Sequence, residues 1–272
     1  MGMMKHIGLF EGIGGFSLAA RWAGWETIAW CEWNEFGQKV LRHHFPKAEG
    51  HGDITRTDFT IYRGQCDIIT GGFPCQPYST AGKRLGKEDE RHLWPEMLRA
   101  IREIQPRWVV GENVLGIVNW SGGLVFHEVQ ADLEAAGYEV FPYVLPACAV
   151  NAPHRRDRVW FVAKNTVSDG FLQREPKQKG AEIWKQRNTC AGNSKRIRIS
   201  KGFVDSTDGN TNLQWSNFPT QHPVCSRNDG FPSRLDGITF PKWRNESIKA
   251  AGNAIVPQVA FQIFQAINQH EH

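Results

Sequence analysis

Along the first 163 residues, short apolar runs alternate with segments whose apolar positions recur every three or four residues. The run HIGLF (6–10) predicts a strand. GFSLAARWAG (15–24) predicts a helix that stops at a glycine, the residue that most readily turns out of a helix in a left-handed conformation. WETIAWC (25–31) predicts a second strand. NEFGQKVLRHHF (34–45) predicts a helix with Asn34 as its N-cap, because a short polar side chain there can accept from the free amides of the first turn. CDIIT (66–70) predicts a strand, HLWPEMLRAIREI (92–104) mostly a helix, and RWVVGEN (107–113) a strand that runs to a polar end. LVFHEVQADLEAAG (124–137) predicts a helix, and YEVFPYVL (138–145) and RVWFVA (158–163) two further strands. Strands and helices alternating at this spacing predict βαβ units, hence an α/β fold with a mostly parallel sheet.

From Lys164 the pattern changes. Residues 164–240 are rich in Asn, Ser, Thr, Gly and Lys/Arg and lack periodicity, which predicts an irregular insertion. AAGNAIVPQVAFQIFQAINQ (250–269) then predicts one amphipathic helix, with Val259, Ile263 and Ile267 at helical spacing, so 241–272 returns to the first domain. The hydrophobic fraction of 40% in 272 residues supports a sizeable core. No apolar run is long enough to span a membrane, and the start MGMMKHIGLF lacks the apolar stretch of a secretory leader. The cysteines form no C-x-x-C pair and no zinc spacing, which predicts no metal site and a reduced, cytoplasmic compartment. Net charge is only +4, yet residues 171–201 hold nine basic residues, among them Lys195, Arg196 and Arg198, against two acidic ones. That local +7 leaves −3 for the remainder, so a polyanion partner and a solvated surface loop are both open readings.

Six short motifs carry candidate chemistry. LFEGIGGFSLAA (9–20) places a Gly-rich turn between a strand and a helix, which lets backbone amides surround a ligand; Ser17 departs from the nicotinamide pattern G-x-G-x-x-G and disfavours a dehydrogenase. Glu32 ends the second strand about twenty residues further on, where an acidic side chain can accept from ribose hydroxyls. Asp53, in GDIT (52–55), could accept from an adenine amino group. In GGFPCQPYS (71–79), Cys75 stands in a loop stiffened by Pro74 and Pro77 at the carboxyl end of a strand, an exposed place for a thiolate nucleophile. Glu112, in GENV (111–114), also ends a strand and would face the same cleft, as acid catalysis beside a nucleophile requires. Arg155, Arg156 and Arg158 lead into the last strand in APHRRDRVWFVA (152–163) and could bind a phosphate or hold a carbonyl oxygen. Each has a plain structural alternative: an unliganded turn, a capping carboxylate, an edge of surface charge.

Taken together and in order, these residues closely resemble the DNA (cytosine-5) methyltransferase family of bacteria and phages. FEGIGGF is similar to its S-adenosylmethionine loop, GGFPCQPYS to its nucleophile loop, ENV to its glutamate motif, HRRDRVW to its Gln-x-Arg-x-Arg motif and GNAIVPQ to its closing Gly-Asn motif. The resemblance covers 5–163 and 250–269. It departs at Gly8, where the family's cofactor motif usually opens on an acidic residue, and at His154, which replaces the Gln. It implies a Rossmann-like S-adenosylmethionine-dependent sheet over 1–163 and 241–272, with a small, irregular target-recognition region at 164–240. Cys75 would add to C6 of cytosine, Glu112 would hydrogen-bond or protonate N3, and Arg158 with Arg156 would hold the O2 side. S-adenosylmethionine would lie among Phe10, Gly12, Gly14, Gly15, Phe16, Glu32, Trp33, Asp53, Ile54, Pro74, Asn253 and Ile255. Gln76, Ser79, Lys195, Arg196 and Arg198 would contact double-stranded DNA, the basic residues by neutralising phosphates. The base would have to be flipped out of the duplex, with the stiff loop closing over it. No coiled-coil or obvious apolar interface segment appears, which predicts a monomer; the resemblance implies the cytoplasm of a bacterium or phage-infected cell, and a cognate restriction endonuclease acting separately is an open partner. A tRNA cytosine-5 methyltransferase on the same scaffold is the alternative enzyme, and a non-catalytic DNA-binding module the alternative of another class.

Overall fold

A computed structural model describes residues 2–74, 93–166 and 240–271. Among the described residues the strands and α-helices follow in the order β1 (Lys5–Leu9), α1 (Gly15–Trp22), β2 (Glu26–Cys31), α2 (Glu35–His44), β3 (Glu49–His51), β4 (Ile68–Gly71), α3 (Trp94–Ile104), β5 (Trp108–Val114), α4 (Leu124–Ala135), β6 (Tyr138–Leu145), β7 (Arg158–Asn165), α5 (Phe240–Asn253) and α6 (Pro257–Glu271). The expected strands and helices are present, most within a residue or two of their expected bounds. Asn34 does cap α2, its side-chain oxygen accepting from the amides of Phe36 (2.9 Å) and Gly37 (3.1 Å).

The strands form a seven-stranded sheet in the order β3-β2-β1-β4-β5-β7-β6. β3, β2, β1, β4 and β5 run parallel, and β7 is antiparallel to both β5 and β6. The side-chain alternation of each strand divides the core into two layers. On one face Ile7, Leu9, Ile69, Val109 and Phe161 pack against Met97, Ile101 and Ile104 of α3 and Val125, Val129 and Leu133 of α4. On the other, Ile68, Val110, Trp160 and Val162 meet Phe16, Ala19 and Ala20 of α1 and the Val259, Ile263 and Ile267 stripe of α6, with Phe264 beside it. Full burial of a side chain such as Phe264 stabilises by roughly 2–3 kcal/mol. Trp25 stacks on Phe264 with ring centroids 4.5 Å apart, and its indole N–H donates to Asn268 Oδ1 at 2.7 Å. The far end of α6 is pinned by Glu271, which accepts from Arg107 and from the Trp108 indole (2.9 Å).

His6, Ser17 and Thr70 are polar residues that lie fully inside. His6 of β1 is bracketed by Thr27 Oγ1 (3.0 Å) on β2 and Thr70 Oγ1 (2.8 Å) on β4. A hydroxyl can donate or accept, so the neutral ring satisfies both nitrogens, and burial pushes its pKa down to about 3.

Two expectations are corrected. The helix expected over 250–269 is two helices, broken at Ala254–Val256. Pro257 opens α6: its ring drives the preceding residue out of the helical region, while its missing amide costs nothing at a helix start. β3 was not anticipated, because EGH has no apolar alternation; it is recruited by pairing Glu49, Gly50 and His51 with Ala29, Trp30 and Cys31. Among the described residues, no helix is long and apolar enough to cross a membrane.

Candidate active site

Strand order reverses at β1, whose neighbours are β2 and β4, and open α/β sheets bind ligands outside the carboxyl ends of the strands at such a point. The turns after β1, β2 and β4 and the end of β5 share this edge. Because β7 runs the other way, its first residue, Arg158, arrives at the same edge.

The turn after β1 is tightly wound. Phe10, Gly12 and Gly14 have φ of 52°, 60° and 92°, the left-handed region, and Gly14 is the N-cap of α1. Glycine adopts that region without steric cost; Phe10 does not, and the surrounding bonds hold it there. Glu32 supplies one of them, its Oε2 accepting from Gly12 N at 2.6 Å, while its Oε1 accepts from Asn34 N at 2.7 Å. Burial raises the Glu32 pKa, and these two amides partly offset the rise. Trp33, the next residue, is 75% exposed and offers a free aromatic face. Asp53 accepts from the amide (2.9 Å) and hydroxyl (2.7 Å) of Thr55, and the hydroxyl first of all holds its carboxyl below the usual range. Ile54 beside it is buried, and Arg99 of α3 fixes this bend by donating to the carbonyls of Ile54 (2.5 Å) and Thr57 (3.1 Å).

A second cluster follows β4. Arg158 Nε lies 2.8 Å from Glu112 Oε1. Glu112 pairs opposite Trp160 and Arg158 is two residues along on the same face, a diagonal cross-strand contact. Glu112 is 9% exposed; burial raises its pKa, opposed by the charges of Arg158 and then Arg156. A side chain on Gly72 would begin 3.4 Å from Glu112 Oε2, so the carboxyl lies beside the segment that leads to Cys75. Asn113 Nδ2 donates to the Phe73 carbonyl at 3.0 Å, and Leu93 N donates to the Pro74 carbonyl at 3.4 Å.

Arg156, whose charge reaches Glu112, makes its hydrogen bonds elsewhere. It has φ 39°, and its guanidinium donates to the carbonyls of Gly252 (3.1 Å) and Ala254 (2.6 Å). It therefore fastens the break between α5 and α6 to the start of β7. Asn253, between its two acceptors, is exposed, and Ile255 packs so closely on Gly15 that a Cβ there would lie 2.6 Å from Ile255 Cγ1. Phe16 is 2% exposed, its ring edge-on to Trp160, and belongs to the core beneath the turn. Cys75, Gln76, Ser79, Lys195, Arg196 and Arg198 lie outside the described residues. Cys31 and Cys66 are buried, and burial pushes the Cys31 thiol up to about 12 and the Cys66 thiol higher still, so neither is a thiolate nucleophile.

One residue in this region was not anticipated. Glu11, in the middle of the turn, is 4% exposed. Its Oε1 accepts from Ser17 N at 2.7 Å, while Oε2 is buried without a hydrogen-bond partner. Burial raises its pKa to about 7, against the pull of the Ser17 amide and hydroxyl and with a further push from Glu32.

The reversed strand β7, the glycine turn and the acidic end of β2 define a Rossmann-like fold of the S-adenosylmethionine-dependent methyltransferase class. Within that class the chain belongs to the C-5 cytosine-specific DNA methylase family, whose profile matches residues 4–222. The type II methyltransferase M.Eco47II of Escherichia coli is 39% identical over 167 residues, which span 60% of this chain and 40% of that protein. M.AquIA of Picosynechococcus is 35% identical over 189 residues, 63% of this chain and 76% of that one. The matched part spans about two fifths of M.Eco47II and of M.PspPI from Psychrobacter. Among solved structures, the S. pombe Dnmt2 methyltransferase superposes with a TM-score of 0.51 at 22% identity, over 66% of this chain and 58% of that one, and shares the fold.

Proposed function

We propose that this chain transfers a methyl group from S-adenosylmethionine to C5 of a cytosine in a specific duplex DNA sequence. The chain fits that cofactor on its own geometry. A wound glycine turn presents backbone amides, Glu32 stands beside it for ribose hydroxyls, and the exposed Trp33 offers a stacking face for adenine. Phe10, Gly12, Gly14, Gly15, Asp53, Ile54, Pro74, Asn253 and Ile255 complete the cradle, with Phe16 contributing backbone only. When bound, S-adenosylmethionine supplies an electrophilic methyl group.

The chain's residues prepare the base. Cys75 Sγ, as thiolate, bonds to C6 and makes C5 nucleophilic. Glu112, whose burial favours its protonated form, donates toward N3 as charge develops on the ring. Arg158, held against Glu112, faces the O2 side, while Arg156 acts from behind by fixing the α5–α6 break. After the methyl group joins C5, the C5 proton passes to water, its electron pair restores the C5–C6 double bond as the C6–S bond breaks, Cys75 departs as thiolate and N3 gives its proton back to Glu112. The base is extruded to reach the site, and Gln76, Ser79, Lys195, Arg196 and Arg198 contact the duplex. The region 164–240 reads the target, while 1–163 and 241–272 carry the chemistry. The protein acts as a monomer in the cytoplasm of a bacterium or phage-infected cell, and a separate restriction endonuclease is compatible with it.

The observation that carries this reading is the 2.8 Å Glu112–Arg158 pair beside Gly72, three residues before Cys75. Base-resolution conversion sequencing of host DNA after expression of wild type and Cys75→Ala tests it. We expect 5-methylcytosine in one short motif with wild type only. Marks that persist in Cys75→Ala would exclude the covalent route, and marks on tRNA instead of DNA would exclude the substrate.

A further inference from the structure

Glycine in the interior of a central strand is costly relative to alanine and calls for a local reason. Gly8 is such a residue. It lies in β1, paired with Trp30 of β2 on one side and Thr70 of β4 on the other. The reason is Glu11. An ideal Cβ on residue 8 would lie 2.6 Å from Glu11 Cδ and overlap Glu11 Oε2. The space that any side chain at 8 would enter is thus filled by a carboxyl group reaching back from the turn.

That carboxyl group sits at a junction. The Glu11 amide donates to the Cys31 carbonyl (3.3 Å) at the end of β2, and the Glu11 carbonyl accepts from Gly14 N (3.0 Å) at the cap of α1. Its side chain accepts from Ser17 N (2.7 Å) in the first turn of α1. One residue therefore ties β2, the glycine turn and the helix start, the three pieces that would surround the cofactor. Glu11 Oε2 faces the Gly8 backbone, buried and without a partner. Nothing in the reaction itself needs a carboxylate there.

We propose that Gly8 and Glu11 are a matched pair sharing one carboxyl-sized space, and that Glu11 is a positioning residue setting the shape of the turn that binds S-adenosylmethionine. This rests on the cofactor reading above. The pairing makes a reciprocal claim: a carboxylate supplied from residue 8 replaces the one supplied from residue 11, but the two cannot coexist.

The test compares wild type, Glu11→Ala, Glu11→Gln, Gly8→Asp and the double variant Gly8→Asp/Glu11→Ala. Two measurements are made at a temperature where circular dichroism shows each folded: S-adenosylmethionine affinity by calorimetry, and Ser17 amide exchange without ligand. Glu11→Ala and Gly8→Asp should each bind at least tenfold more weakly. The double variant should return to within about threefold of wild type, with Ser17 protected again. Glu11→Gln, which keeps an acceptor for Ser17 N, should stay near wild type in both, and it decides the matter if the double variant does not fold. A double variant no better than its parents, equal losses in Glu11→Gln and Glu11→Ala, or unchanged binding in Glu11→Ala would each overturn the proposal. If wild type itself fails to bind S-adenosylmethionine, the cofactor reading falls and the positioning role with it. Ser17 exchange in the free protein then reports on the pairing separately.

Discussion

Asn113 holds the carbonyl of Phe73 at 3.0 Å, and so the strand that carries Glu112 is tied to the segment that enters Cys75. Asn113 is 5% exposed and Phe73 2%, so the bond lies away from water. Two motifs roughly forty residues apart in sequence are thereby held in one register.

Asn113→Ala should break that register while leaving both chemical groups in place. The Phe73 carbonyl would be left buried and unpaired, a cost of roughly 1–3 kcal/mol. We expect kcat for methyl transfer to fall at least tenfold with KM for S-adenosylmethionine within about twofold of wild type, measured by tritium transfer to duplex DNA. A proportional change in both constants would show that the bond serves cofactor binding instead.

Glu112→Gln keeps the shape of the side chain but cannot give up a proton. General acid assistance contributes about 10²–10⁴-fold to rate, so kcat should fall by at least a hundredfold. Thermal stability should change little, because Arg158 retains a neutral acceptor at 2.8 Å. Unaltered kcat would remove Glu112 from the chemistry.

His6 makes the fold acid-sensitive. The unfolded chain takes up a proton near pH 6.5, while the buried ring resists until about 3, so its stabilising contribution is complete above 6.5 and is lost as pH falls toward 3. By pH 4 this amounts to about 3 kcal/mol. Urea unfolding at pH 7 and pH 4 should show wild type losing that much more than His6→Gln, which can still bridge Thr27 and Thr70.

Glu11 works in the opposite direction. The unfolded carboxyl ionises near 4.5 and the folded one near 7, so the folded chain is penalised increasingly as pH rises between those values and the penalty stays beyond them. Urea midpoints taken at pH 5 and pH 8 should fall more steeply in wild type than in Glu11→Gln. The difference should approach roughly 3 kcal/mol, and parallel curves would place the carboxyl in water.

The alternating apolar runs made the parallel strands and their helices legible, since β1, β4 and β5 in the middle of the sheet are buried on both faces and read as largely apolar stretches. β3 was hidden because three residues carry no pattern, and its backbone pairing with β2 depends on a neighbour already in place. The break at Ala254–Val256 was written in Pro257, but the apolar stripe through 259–267 outweighed it. At the site, motif order names candidate residues but not the partners each of them takes. Nothing local distinguishes Arg158, which meets Glu112, from Arg156, which holds the carbonyls of Gly252 and Ala254. Glu11 was invisible for a similar reason: a carboxylate between glycines reads as a solvated turn until the missing side chain at residue 8 shows where it goes.

The packing of α6 on α1 sets an order of events during synthesis. Phe16, Ala19 and Ala20 wait for Val259, Ile263 and Phe264, which leave the ribosome some 240 residues later. At about 5–20 residues per second that is an interval on the order of tens of seconds. Over that interval the helix behind the glycine turn has only the sheet to pack on and lacks the cover of α6, and the nascent chain should acquire its cofactor only once residues 257–271 have emerged.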